Sequence, residues 1–144
     1  GSLSNAMATK LPIAMAQIAR RADPRNHEAP IVLGTLLAAE GRTDDAVAAF
    51  RTVPDDSPFA AQARDAEARA LVDAGAKQEA LARAQAWAAN DGAPEDWARA
   101  GDVLDSLARH SDAAQAYERA ARLAEAQADP ERWTLYLLHG ASLE

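Results

Sequence analysis

Residues 34–50 read GTLLAAEGRTDDAVAAF, and the frame Gly34-x11-Ala46-x3-Phe50 inside them returns twice. It comes back as Gly101-x11-Ala113-x3-Tyr117 and, between the two, as Ala68-x11-Ala80-x3-Ala84. The steps are 34 residues from Gly34 to Ala68 and 33 from Ala68 to Gly101. A period in this range marks stacked supersecondary units, each burying its apolar face against the next. Such stacks present an extended concave surface rather than a walled pocket, so binding is expected ahead of catalysis.

Outward from that frame, Pro, Gly and Asp punctuate the chain: Asp23-Pro24, Gly41-Arg42, Pro54 to Pro58, Gly75, Asn90 to Pro94, Arg109 to Ser111 and Ala128 to Pro130. The intervals have helix length, and eight helices are expected near 10–22, 28–41, 43–53, 58–74, 77–90, 94–108, 111–127 and 131–144. Thr43, Ser57 and Ser111 stand where N-caps belong, and Gly41 and Gly75 where a helix ends in a left-handed turn. Links of two or three residues within a pair make the paired helices antiparallel neighbours. Leu33, Leu36 and Leu37, then Ala46, Val47, Phe50 and Val53, form one apolar face per helix. The expected class is all-α.

Composition agrees. Of 144 residues roughly a quarter are Ala, the best helix former, with only two Phe and two Tyr. The net charge of −7 argues against nucleic acid and against an anionic membrane surface. No apolar run approaches the ~20 residues of a transmembrane helix, so membrane insertion is not expected. Absence of Cys excludes disulfides and thiolate zinc sites.

On these residues the chain resembles the tetratricopeptide repeat, whose pattern is Trp-x2-Leu-Gly-x2-Tyr, then Ala-x3-Phe, then Pro. The first unit reads Pro30-x2-Leu33-Gly34-x2-Leu37, Ala46-x3-Phe50 and Pro58. The third reads Trp97-x2-Ala100-Gly101-x2-Leu104 and Ala113-x3-Tyr117. The second is loosest, with Arg64, Glu67 and Ala68 in the first-helix slots, Ala80 kept, Ala84 in place of the aromatic, and Trp87 one turn on to fill the space. The resemblance implies a right-handed α-solenoid of antiparallel helix pairs. Gly34, Ala68 and Gly101 would admit close approach from the first helix of each pair, and Ala46, Ala80 and Ala113 from the second, with the following aromatic plugging the gap between adjacent units.

The solenoid is expected over 7–144: a half-repeat at 10–26, repeats at about 27–57, 58–93 and 94–130, and a truncated half-repeat at 131–144. Residues 1–6 (GSLSNA) look like a cloning remnant. Tyr136-x2-His139-Gly140-x2-Leu143 keeps first-helix spacing, 39 residues after Gly101. Trp133, Tyr136, Leu137 and Leu138 would lack a partner on one side there, which suggests a homodimer through uncapped ends.

Signs of chemistry are few. His27, His110 and His139 lie in separate segments without metal-ligand spacing, and neither a phosphate loop nor a nucleophile elbow is present. Asp44-Asp45 and Asp55-Asp56 sit at helix starts, where negative charge suits the dipole. The expectation is a non-enzyme with no catalytic residue, metal or cofactor.

In tetratricopeptide arrays the first helices line the concave face. Matching positions are Ile31, Thr35 and Ala38; Asp65, Arg69 and Val72; and Ala98, Asp102 and Asp105 with Arg99 beside them; Leu137 and Ala141 follow. The resemblance implies a protein or peptide partner in an acidic groove broken by Arg69 and Arg99. The family's Lys/Asn carboxylate clamp has no match here, and a basic segment with an apolar anchor near Ile31 suits the charges. Two other roles fit the same residues: a spacer in a larger multi-repeat protein, or a regulatory module on a catalytic domain elsewhere in the chain. The Ala/Arg/Asp usage resembles a bacterial chain of high GC content. It leaves cytoplasm and periplasm open, with cytoplasm favoured.

Overall fold

The structure, a computed structural model, describes residues 13–14, 25–127 and 130–143. Apart from Ile13 and Ala14, which are helical, the helix expected at 10–22 lies outside the described residues, as do residues 1–6, expected as a cloning remnant. Besides Ile13 and Ala14, the described residues form seven helices and no strand: α1 (Glu28–Ala39), α2 (Thr43–Phe50), α3 (Ala60–Asp73), α4 (Lys77–Asp91), α5 (Pro94–Ser106), α6 (His110–Ala126) and α7 (Pro130–Leu143). The fold is all-α.

Helix ends follow local chemistry, with three corrections, since none of Thr43, Ser57 and Ser111 caps a helix: Phe59, not Ser57, holds the cap position of α3. Thr43 and Ser111 lie inside their helices rather than capping them, and α2 and α6 begin without a side-chain cap. Arg42 and Arg109 occupy the cap positions instead, and each pairs with the aspartate three residues on, Asp45 and Asp112, at 2.8 Å. An acidic residue in the first turn offsets the exposed N–H groups there without a cap bond. Ser57 does work locally: its Oγ accepts from the N–H of Phe59 at 3.1 Å. That turn delays α3 to Ala60. At α1, Asn26 Oδ1 accepts from the N–H groups of Glu28 and Ala29, both at 3.2 Å.

The C-terminal turns repeat in frame. Gly41 (φ 78°), Gly75 (φ 84°) and Ala108 (φ 58°) all take the left-handed conformation. After α1, Arg42 N–H reaches Leu37 O and Gly41 N–H reaches Ala38 O, both at 3.0 Å. After α5, Arg109 N–H reaches Leu104 O and Ala108 N–H reaches Asp105 O, both at 2.9 Å. This is the paired closing bond of a Schellman turn, with alanine holding the glycine place in the third unit.

The chain divides into two compact units, one ending at Ala74 and one starting at Gly75. The division falls within the stretch expected as the second repeat. In the first unit α1 packs on α2 and α3, and α2 packs on α3. Leu33, Leu37, Ala46, Phe50, Val53 and Ala63 form its core, joined by Ile13. In the second unit α4 packs on α5, α5 on α6 and α6 on α7. Ala120, Ala121, Ala124 and Tyr136 make a core cluster there, with Trp97 and Trp133 half-buried against it. Large side chains such as Phe50 each contribute about 1.5–3 kcal/mol by leaving water, while the alanines let the helices close around them.

Candidate protein-interaction surface

The packing positions read from the repeat frame are all buried or half-buried. Ala46, Ala80 and Ala113 have no exposed surface, Ala68 is 4 % exposed, and Trp97 is half-buried. Gly34 lies under the Phe50 ring and Gly101 under the Tyr117 ring. Gly140 of α7 approaches the other side of Tyr117: a Cβ there would lie 3.6 Å from Tyr117 Cβ and from Ala114 O. Tyr117 thus occupies the space between α5 and α7, and His139 meets its ring edge-on at 5.6 Å.

The groove positions separate into two groups. Thr35, Asp65, Arg69, Asp102 and Asp105 are exposed. Ile31 and Arg99 are not, at 7 % and 4 %. Ile31 joins the first unit's core. Arg99 pairs with Asp96 at 2.6 Å, both buried, and its guanidinium lies 5.5 Å from the Trp87 ring centre. Of the expected groove positions, Ile31 and Arg99 are therefore taken up by packing.

Two of the acidic positions already have neighbours. The Tyr117 hydroxyl donates to Asp102 Oδ1. Burial, then that bond and the charges of Asp102 and Asp105, push the phenol far above its ordinary value. Asp105 Oδ1 lies 2.8 Å from His110 Nδ1. Both aspartates keep exposed surface, so α5 still shows solvent an acidic edge.

In the first unit, Thr35 and Arg69 line one open cleft of about 410 Å³. Its walls are Ala38, Ala39, Ala66 and Ala70, Phe50 stands within it, and Asp73 sits at its edge. In the second, Ala114, Glu118, Tyr136, Leu137, Gly140 and Ala141 line a smaller hollow of about 240 Å³. Beside it, α7 leaves Leu135, Leu137 and Leu138 exposed at 49, 42 and 63 %. Tyr136, expected among the unpartnered residues, is instead 8 % exposed and packed in the core.

Several engaged charges were not expected. Glu67 is 2 % exposed and bonded to Arg51 at 2.9 Å, and Arg64, 8 % exposed, holds Asp55 at 3.0 Å. The signal was present, since both residues fill slots that are apolar in the first unit. Among the described residues no helix is long and apolar enough to cross a membrane, and no group of three or more acidic or histidine side chains is placed to hold a metal.

No family model matches this chain, and no curated protein matches it. Solved structures do. "Crystal structure of MamA" aligns with a TM-score of 0.52 at 22 % identity, over 91 % of this chain and 85 % of that one. "Crystal structure of MamA protein" gives 0.54 at 21 %, over 98 % and 85 %. "MamA MSR-1 C2" gives 0.51 at 18 %, over 99 % and 90 %. At such identities the likeness is one of fold, and it places this all-helical chain with the helical-repeat solenoids.

Proposed function

We propose that this chain is a non-catalytic protein-interaction scaffold of the tetratricopeptide type, holding a partner segment along the exposed face of its first-type helices. The observation that carries this is the division of exposure along those helices. Thr35, Asp65, Arg69, Asp102 and Asp105 stay in solvent while the packing residues beside them are buried. Asp102 and Asp105 on α5 suit a basic stretch of the partner, whose charges they would steer and orient. The test is a capture experiment from bacterial lysate with three baits: wild type, Asp65→Ala/Asp105→Ala, and Glu118→Ala/Arg122→Ala on α6. A partner lost only with the first double variant supports the groove. One kept by all three, or lost with both, counts against it.

The exposed leucines favour a second contact, between copies of this chain through α7. Leu135 and Leu138, three residues apart on one face of α7, are exposed together, and Leu137 is exposed near them; apolar surface of this kind drives association. Light scattering over a hundredfold concentration range should show a mass increase that Leu138→Lys abolishes. A constant monomer mass for wild type removes this contact.

A further inference from the structure

The cleft between α1 and α3 carries chemistry that the acidic edge of α5 does not. Arg69 lines it from α3 and is exposed. Three other arginines of this unit, Arg42, Arg51 and Arg64, each hold a carboxylate within 3.0 Å. Arg69 makes no hydrogen bond or ion pair among the described residues, although Asp73 stands one helical turn away on the same cleft. An acid four residues after a base is the weaker order for a helical ion pair, which leaves both groups open to another partner.

Thr35 adds polarity of a defined sense. Its hydroxyl donates to Ile31 O at 2.8 Å, so toward another partner its oxygen is left as an acceptor. The walls around these three groups are alanine methyls. On one helix face, residues four apart have Cβ atoms about 5–6 Å apart. An extended peptide advances about 3.3 Å per residue and turns side chains i and i+2 to the same side. Arg69 and Asp73 are thus spaced to meet an acid and a base two residues apart on an extended strand.

Resting on the groove described above, we propose that this cleft is a charge-reading subsite for an extended partner peptide carrying an acid and a base at positions i and i+2. The acid's carboxylate takes the guanidinium fork of Arg69, a bidentate match that lysine does not reproduce. The base meets Asp73. Small side chains between and beside them lie on the alanine walls. A peptide with two acids would set one against Asp73, and a peptide with two bases would set one against Arg69.

The test uses the whole chain and fluorescein-labelled nine-residue Ser/Ala peptides, read by anisotropy. Their central triplets are Glu-Ala-Lys, Lys-Ala-Glu, Glu-Ala-Glu and Gln-Ala-Gln. One of the two mixed-charge peptides should bind roughly tenfold tighter than the Gln peptide, as expected for one charge-assisted bond. Arg69→Glu and Arg69→Lys should each reduce that preference, the first completely, with helicity unchanged by circular dichroism. Arg69→Glu/Asp73→Arg should restore it for the opposite order of charges. Equal binding of all four peptides, or a preference untouched by Arg69→Glu, overturns the subsite and leaves the groove standing. Absence of binding by every peptide at millimolar concentration overturns both.

Discussion

A Cβ on Gly34 would lie 2.4 Å from Cε1 of Phe50, so hydrogen is all that the buried ring leaves room for at this point of α1. The third unit repeats the relationship, with a Cβ on Gly101 reaching 2.9 Å from Cζ of Tyr117. In both units the aromatic of the second helix lies flat on a glycine of the first. That contact sets how closely the two helices of each pair approach.

Gly34→Ala tests the contact directly. In a helix interior the change should gain about 0.5–1 kcal/mol of backbone entropy. Against a ring that is 2 % exposed, overpacking costs about 1–3 kcal/mol. The clash is expected to win, with a net loss of about 1–2 kcal/mol in urea unfolding. Gly101→Ala should lose less, because its nearest ring atom lies farther off. Adding Phe50→Leu to Gly34→Ala should recover part of the loss, a non-additivity that contacting residues show.

Ala108 offers the opposite sign. It holds a φ of 58° where Gly41 and Gly75 hold the same turn at no steric penalty. A non-glycine residue in this region costs about 1–2 kcal/mol, while glycine adds entropy to the unfolded chain. Ala108→Gly should therefore raise stability by about 0.5–1 kcal/mol, seen as a higher thermal midpoint. Gly75→Ala should lower it. A melt in which Ala108→Gly is destabilising would show that the turn is strained elsewhere.

The packing half of this arrangement was legible from one sequence because a repeat states its rule more than once. Gly34, Ala46 and Phe50 return as Gly101, Ala113 and Tyr117, and local steric rules then say what each does. The surface half was legible only where a helix has a single buried face. Ile31 was expected at the groove, yet α1 packs on both α2 and α3, which widens its buried face to include that position. Arg99 was expected there too. Its burial depends on Asp96 and on Trp87 from a different helix, a contact that no local pattern announces. The Tyr117–Asp102 bond is of the same kind, set by how α6 lies against α5.

Arg99 and Arg42 give a contrast between two ion pairs of identical sequence spacing. The Asp96–Arg99 side chains are 4 and 3 % exposed, whereas those of Arg42 and Asp45 are 54 and 58 % exposed. Arg99→Ala takes a buried cation away from the Asp96 carboxylate and should cost about 3–5 kcal/mol. Arg42→Ala should cost under about 1 kcal/mol. Replacing both members of the buried pair, as Asp96→Leu/Arg99→Leu, should recover much of the loss, because both buried charges are then removed together. Thermal melts of the three variants separate these outcomes.

Tyr117 makes stability depend on alkaline pH. Its phenol is held far above the ordinary value of 10.0, first by burial and then by the hydrogen bond to Asp102 and the charges of Asp102 and Asp105. The folded chain therefore keeps this proton at a pH where the unfolded chain has released it. The contribution is complete below pH 10 and declines as pH climbs from there toward the folded value. Urea midpoints measured from pH 8 to 11 should fall for wild type once pH passes the ordinary phenol value. Tyr117→Phe cannot release that proton in either state, so its midpoint should fall less steeply over the same interval. It should also start lower at pH 8, by about 1.5–3 kcal/mol, the range for a hydrogen bond to a charged group. Parallel curves for the two proteins would show that the hydroxyl ionises as readily folded as unfolded, and that Asp102 does not hold it.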